Sequence, residues 1–445
     1  MALAQHPNEQ CPFSLKNSPS ILMQIANTMD TTSQFSCHNL RILFVGQYPP
    51  PFGGIATHLV SLIPSLVDHS ASDIAVISFD KGNRLELVNE IPIYRFDLKK
   101  NFRILANPKQ WLLIARVVKD LGYRGIGFSR LIKEMIATIL VNEIAKKHKS
   151  NVVSIYHSTN LMVLPLSNLW RNKRSIVLTV FGEVYGSSSF MNRNRSIIGK
   201  VISVPQAVVA TSYHCASSFS NLGINRTIEP VYYGVDLGNV TSPEDRQRFR
   251  EENNIKPDEV VLLFMGRFLV EMGLDVILSS AKTLFEKSTN LRLLLAGAKG
   301  DLSEQATALA NKFPEKIIVM QDVSFAKQRF LYSAADVLVA PSFDQRACMG
   351  IAIKEAMAAR LPVIGGAGGG VPEAIVDGEN GFLIPLDSTG TVDRKLFIDS
   401  ILRLVADSEL RLKMGKAGRA RVENLFSVKR TNLRMSEIFM NALPR

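Results

Sequence analysis

Along almost its whole length the chain alternates short apolar runs with stretches of helical spacing, and that alternation restricts the fold more than any other feature. RILFVG at 41–46 ends in glycine, turns through QYPPPFGG and enters IATHLVSLIPSLV, whose apolar residues recur at helical spacing. Further runs follow at 74–79 (IAVISF), 152–156 (VVSIY), 175–182 (SIVLTVFG) and 207–212 (AVVATS). Strands that alternate with helices join through crossovers, which gives a parallel sheet with helices on its faces. Around 233–260 the pattern lapses into polar sequence broken by proline and glycine, as at a domain boundary. It restarts at 260–266 (VVLLFMG) and continues through 291–297, 316–321, 336–342 and 361–366, and GFLIPLD (381–387) closes the set. Helices are expected between these runs at about 273–287, 302–312, 326–334 and 351–359.

The expected fold class is α/β, with two doubly wound Rossmann-like domains facing a cleft. A length of 445 residues accommodates two such units. The boundaries read as a polar, disordered tail at 1–39, an N-terminal domain at 40–236, a C-terminal domain at 250–424 and a final helix at 425–445. No run approaches the ~18 apolar residues of a spanning helix. The start of the chain has neither a basic region nor a continuous apolar core, so a cytoplasmic location is expected. The four cysteines (Cys11, Cys37, Cys215 and Cys348) lie far apart in sequence and form no Cys-x-x-Cys. Buried, inert thiols in a reducing compartment are the plain reading.

The chain has 52 Lys and Arg against 40 Asp and Glu, a net charge of +12. Between Lys99 and Lys149 twelve basic residues stand against three acidic ones, so this segment holds nine of the twelve net charges. Apolar residues such as Trp111, Leu112, Leu131, Ile132, Ile136 and Ile139 interleave with the bases at three- and four-residue spacing, as in basic amphipathic helices. One reading is adhesion of 99–149 to an anionic membrane surface, peripheral on its inner face. The other is a set of ordinary surface helices with solvated Lys and Arg. No aromatic–basic module is present, so nucleic acid is not expected as a partner.

Several catalytic patterns are missing from the sequence: the P-loop, Gly-x-Gly-x-x-Gly after a strand, His-Glu-x-x-His, Gly-x-Ser-x-Gly and Asp-x-Asp. Ligands of doubly wound sheets bind beyond the carboxyl ends of the strands, so chemistry belongs in the loops after 46, 182, 266, 297 and 342. Gly53 and Gly54 open a helix directly after a strand, where the backbone can approach an anion. Arg267 follows Gly266 at a strand end, where a guanidinium can fork onto a phosphate. The densest stretch is 341–385. Met349, Gly350 and Ile351 begin a helix that carries Glu355, and a glycine-rich turn containing Gly369 leads to Pro372 and Glu373. Two helix N-termini are thus expected to aim amides at one crevice, enough to hold a diphosphate without metal. Glu355, about one turn inside, is an acceptor within reach of sugar hydroxyls. Taken singly, Glu355, His58 and His157 are each as well read as structural residues.

Taken in order, these motifs resemble the retaining glycosyltransferases of family 4, the group 1 glycosyltransferases with the GT-B fold. The resemblance covers about 40–425. It rests on Gly53-Gly54, the Tyr-Gly-Val-Asp turn at 233–236, Gly266-Arg267 with Gly273, the Ala-Gly strand end at 296–297, Ala335-Asp336 with Pro341-Ser342, Glu355-Ala356-Met357-Ala358, Gly369-Gly370 with Pro372-Glu373, and Gly378 with Gly381. It implies that the C-terminal domain binds a nucleotide-diphospho-sugar and the N-terminal domain a saccharide or lipid-linked acceptor, as in polysaccharide biosynthesis. Transfer would proceed with retention at the anomeric carbon, with no metal and no cofactor. Arg267 would be the phosphate-binding arginine and Glu355 the glutamate bonded to the nucleotide ribose. Gly350 and Ile351 would give amides to the phosphates, with Met349, Gly266 and Gly369 lining the donor site and Gly53-Gly54 near donor and acceptor. The resemblance implies as well that the last helix crosses back onto the first domain.

Three positions depart from the family pattern. Ala347 stands where a glutamate near the donor sugar is usual, Met272 where a phosphate-binding lysine is usual, and Phe181 where many members have a histidine. They motivate an alternative, a degenerate, weakly active or non-catalytic member that binds a nucleotide-sugar or a partner. Asp344, Gln345, Glu271 and His157 are the residues at hand to take over a lost role. A different reaction on the same fold would need an acid–base pair that the sequence does not display.

Overall fold

The computed structural model describes residues 40–49, 54–70, 73–108, 111–112, 128–156, 174–182, 195–238 and 241–443. The tail at 1–39, Gly53, His157 and most of 109–127 lie outside the described residues.

Among the described residues the strands form two sheets. The first has eight: β1 (Arg41–Gly46), β2 (Asp73–Phe79), β3 (Arg84–Val88), β4 (Ile91–Phe96), β5 (Val152–Tyr156), β6 (Ser175–Val180), β7 (Ala207–Ala210) and β8 (Glu229–Pro230). Their order is β3-β4-β2-β1-β5-β6-β7-β8. The second has six: β9 (Val260–Met265), β10 (Leu291–Gly297), β11 (Ile317–Gln321), β12 (Val337–Ala340), β13 (Val363–Gly366) and β14 (Gly381–Ile384), ordered β11-β10-β9-β12-β13-β14. The pairings are parallel apart from β3–β4. Central strands such as β5 and β6 are buried at every residue. Helices cover both sheet faces, so these strands read as continuous apolar runs rather than as alternating ones.

Two features differ from the sequence-based expectation. The β3–β4 hairpin was not expected: its apolar runs are short and interrupted by Glu86, Pro92 and Arg95. As an edge strand, β3 leaves Leu85 and Leu87 exposed. The second concerns the helix Phe128–Lys147, which is not a surface amphipathic helix. Leu131, Ile132, Met135, Ile136, Ile139 and Leu140 join Leu43, Val45, Ala75 and Ile77 in one core cluster. Too many of its positions are apolar for a narrow stripe, so it lies flat on the sheet. Its apolar face is therefore not free to enter a membrane. Among the described residues no helix is long and apolar enough to cross a membrane.

The chain crosses between the sheets twice, at 233–236 and at 426–428. The two crossings hydrogen-bond to each other, Val235 N to Phe426 O at 2.8 Å and Val428 N to Val235 O at 3.1 Å. A Cβ on Gly234 would collide with Ser427 and Val428, so only glycine allows that approach. The second crossing carries the helix Val428–Ala442 onto the helix Gly54–Ser70. Met435, Ile438, Phe439 and Ala442 complete a core cluster with Ile42, Phe44 and Leu59. Ser175 Oγ donates to Ala442 O at 2.6 Å.

Candidate ligand site between the two domains

In each sheet the first strand has neighbours reached in opposite directions, β1 between β2 and β5, and β9 between β10 and β12. Such a switch point opens a crevice at the carboxyl ends of the strands. In the first sheet the loops leaving β1 and β5 run into Gly53 and His157, outside the described residues. In the second sheet the loops are 266–273 and 341–350, and they are bound together. Ser342 Oγ donates to Glu271 O at 2.9 Å. Gly273, at φ +76°, packs so closely on the Pro341 carbonyl that a Cβ would not fit. Arg346 pairs with Asp344 at 2.8 Å and with Glu271 at 3.7 Å.

A cavity of about 600 Å³ opens between the domains. The helix Gly54–Ser70 contributes Thr57, His58 and Ser61, the crossing contributes Gly234–Asp236 and Gly238, and the second domain contributes Lys327–Phe330, Tyr332, Ile351 and Glu355. Of the expected site residues, Ile351 and Glu355 line this cavity. Gly350 stands beside them as N-cap of the helix Ile351–Ala358, with φ +75° and no side chain capping the first turn. Gly54 begins the helix that forms the opposite wall, in open space. Glu355 accepts a 2.6 Å hydrogen bond from the Tyr332 hydroxyl at Oε2. Burial pushes its carboxyl above the usual carboxylate range, while the Tyr332 hydroxyl and the Lys354 ammonium pull it back. Arg267 is exposed at the end of β9, and its guanidinium has no hydrogen bond or ion pair to another described residue.

Among the described residues, the other expected donor residues are not part of the cavity lining. The Met349 side chain is buried in the core of the second domain. Gly266 has its amide bonded to Ala296 O. In the glycine-rich turn, three amides bond within the second domain. Gly370 N donates to Ala347 O at 2.7 Å, Val371 N to Gly368 O and Glu373 N to Gly370 O. Gly369, at φ +55°, lies against the Ala347 carbonyl with no room for a Cβ. The turn is glycine-rich where it packs on the loop 343–348, and the amides of Gly370, Val371 and Glu373 are taken up within the domain.

Glu373 instead reaches the first domain. Its carboxylate accepts from Tyr213 N at 2.9 Å, His214 N at 2.7 Å and the Tyr232 hydroxyl at 3.0 Å. It thereby supplements the Ser212 cap of the helix Tyr213–Asn221. Three more residues at the junction were not singled out by sequence reasoning for their roles here. Lys354 is buried and donates from Nζ to Tyr233 O at 2.6 Å. The ring of His58 stacks on that of Tyr233 with centroids 3.4 Å apart. Neither of its ring nitrogens has a hydrogen-bond partner among the described residues. Phe181 meets Tyr233 edge-on at 5.7 Å, which explains an apolar residue at that strand end. Met272 is half-buried against the core of the second domain. Gln345 offers its carbonyl to His214, while Asp344 and Glu271 hold Arg346.

Fold and cleft together define a two-domain, doubly wound α/β protein with a cavity between the domains. Residues 245–421 match the family model for glycosyl transferases group 1. This part of the chain is thus similar to the group 1 glycosyltransferases, in line with the resemblance read from its motifs. It is 28% identical over 225 residues to D-inositol 3-phosphate glycosyltransferase of Corynebacterium efficiens, covering 48% of this chain and 51% of that protein. It is 25% identical over 352 residues to an uncharacterized glycosyltransferase of Methanocaldococcus jannaschii, covering 76% and 83%. The chain therefore spans about half the length of the Corynebacterium relative and most of the archaeal one. Among solved structures, HepE of Anabaena in complex with UDP-glucose superposes with a TM-score of 0.67 at 18% identity, covering 90% of this chain and 100% of that one. Sucrose-phosphate synthase of Thermosynechococcus elongatus gives 0.69 at 16%, covering 90% and 98%. The fold is that of these GT-B proteins.

Proposed function

We propose that this chain is a retaining glycosyltransferase that moves a sugar from a nucleotide-diphospho-sugar to a saccharide or lipid-linked acceptor without a metal. The observation that carries this reading is the convergence of Glu355 and the uncapped N-terminus at Gly350–Ile351 on one interdomain cavity, within a group 1 glycosyltransferase domain. Glu355 binds the nucleotide ribose through the carboxylate oxygen that Tyr332 leaves open. The amides of Gly350 and Ile351, the exposed Arg267 and the Gly53-Gly54 turn hold the diphosphate. Negative charge grows on that diphosphate as the glycosidic bond breaks, and preorganised donors stabilise it. HepE is described with UDP-glucose, which makes a UDP-sugar the first donor to test. On the acceptor side, Phe102, Trp111 and Leu112 are exposed in the same stretch as Lys99, Lys100 and Arg103, a composition suited to an anionic membrane surface. Ala347, Met272 and Phe181 support the second reading, a member that binds donor and turns over poorly.

Calorimetric titration with UDP-, GDP- and ADP-sugars, with and without EDTA, followed by incubation with a lipid extract, tests both. Donor binding and transfer unaffected by EDTA, each lost in Arg267→Ala with the fold intact, are expected. Binding without transfer to any acceptor supports the second reading, and absence of binding to every donor overturns both.

A further inference from the structure

The two cysteines among the described residues lie on different domains, yet they meet. Cys215 is fully buried in the helix Tyr213–Asn221 of the first domain, and Cys348 is half-buried in the loop 341–350 of the second. Their sulfurs are 2.7 Å apart. The junction around them is held from several sides. His214 Nε2 bonds to Gln345 O at 2.8 Å, and Glu373 binds the amides of Tyr213 and His214. Gly182 abuts the Arg346 carbonyl and Gly370 abuts the Cys348 carbonyl, both too closely for any side chain. A contact fixed by backbone on both domains keeps the two sulfurs facing each other. The hydrogen bond with the Cys348 sulfur draws the Cys215 thiol below its ordinary range, against burial, which pushes it up.

We propose that Cys215 and Cys348 are a dithiol modification site, at which a low-molecular-weight disulfide such as oxidised glutathione closes a bond that ties the two domains together. Cys348 is the accessible partner and attacks first. Its thiolate displaces one small thiol and leaves a mixed disulfide on Cys348. The Cys215 sulfur then attacks the Cys348 sulfur and expels the second small thiol. One small disulfide and two protein thiols become one protein disulfide and two small thiols, with no electrons left over. The bond would fix the loop two residues ahead of Gly350, and so bears on the helix that begins at Ile351.

The test uses the full chain with Cys11→Ser and Cys37→Ser, which keeps both cysteines of the junction native. After incubation with oxidised glutathione, the intact mass is expected to fall by two hydrogens. Peptide mapping should join the segments holding Cys215 and Cys348, and dithiothreitol should reverse both changes. In this background Cys348→Ser should show no such loss. The oxidised protein should also unfold at a higher temperature than the reduced one, because the bond closes a long loop in the unfolded chain. Two thiols still open to alkylation, or a glutathione adduct that persists on Cys348 without closure, would overturn the proposal. Equal unfolding temperatures for the cross-linked and reduced forms would overturn the tie between the domains. None of these readouts needs a sugar nucleotide, so they stand or fall apart from the transferase reading.

Discussion

Lys354 shows how much of this junction depends on single residues. Burial pushes its ammonium down to about 8 from an ordinary 10.5, yet it still donates to the Tyr233 carbonyl and lies 6.0 Å from the Tyr233 ring and 5.9 Å from the Phe426 ring. Its folded pKa lies below its unfolded one. The unfolded chain therefore holds the extra proton between about pH 8 and 10.5, and this group's contribution to stability rises with pH across that window. Lys354→Met should remove that rise, and it should cost about 1–3 kcal/mol near neutral pH by removing the Lys354 donor from the buried Tyr233 carbonyl. Urea unfolding of both proteins at a series of pH values checks it; parallel pH profiles would contradict the burial argument. His58 acts at the acid end. Burial first, and the Lys354 charge second, hold its imidazole well below the usual 6.5. The unfolded chain takes up a proton that the folded one refuses, so stability should fall as pH drops below 6.5, and the fall should be shallower in His58→Phe. Glu355 and Ile351 were legible because helical spacing after a glycine defines a first turn. Lys354, Tyr332 and the His58–Tyr233 stack were not, because their chemistry arises from burial against another element. Gly369 follows a related rule: a glycine announces close approach without saying to what, and the Ala347 carbonyl is one neighbour that leaves no room for a Cβ.

Among the elements, the helix Ile351–Ala358 carries the proposed function, and its start was visible in the sequence while the state of its first turn was not. Gly350 has φ +75°, and the nearest atoms to a Cβ placed there are those of Ile353 at 3.5 and 3.7 Å, an ordinary contact. Gly350→Ala is therefore disfavoured by backbone conformation rather than by collision, at about 1–3 kcal/mol. The variant should fold with a lowered unfolding temperature, and its shifted first turn should weaken donor binding about tenfold or more in the same calorimetric titration. Unchanged affinity would remove these amides from the diphosphate site. Strands were legible wherever they run continuously apolar, as in β1, β5 and β9. The hairpin β3–β4 was not, since Glu86, Pro92 and Arg95 interrupt its short apolar runs. The helix Phe128–Lys147 was recognised as a helix but given the wrong surroundings. Periodicity reports which residues share a face, and the width of the apolar face decides whether it meets solvent, membrane or sheet. Here Met135, Val141, Ile144 and Ala145 widen that face beyond what a surface position tolerates.

For the whole molecule, the division into two sheets was readable from the lapse at 233–260, and the way the sheets are coupled was not. Each sheet has core clusters of its own, so coupling rests on what crosses between them. The paired crossings at 233–236 and 426–428 form one link, and the contacts of Glu373 with the helix Tyr213–Asn221 form another. Burial raises the Glu373 carboxyl above its ordinary range, against the amides and the Tyr232 hydroxyl that favour its charge. Glu373→Ala leaves the Tyr213 and His214 amides without their acceptor, although Ser212 still caps Cys215 N at 3.0 Å. Loss of such a cap costs about 0.5–2 kcal/mol. That cost falls on the contact between the domains rather than on either core. Scanning calorimetry of the reduced protein should therefore show one transition for the wild type and a broadened or split one for Glu373→Ala, as two units with weakened coupling begin to melt separately. A single sharp transition at a lower temperature would instead assign the coupling to the paired crossings, and Gly234→Ala, which forces those crossings apart, would then be the variant that splits it.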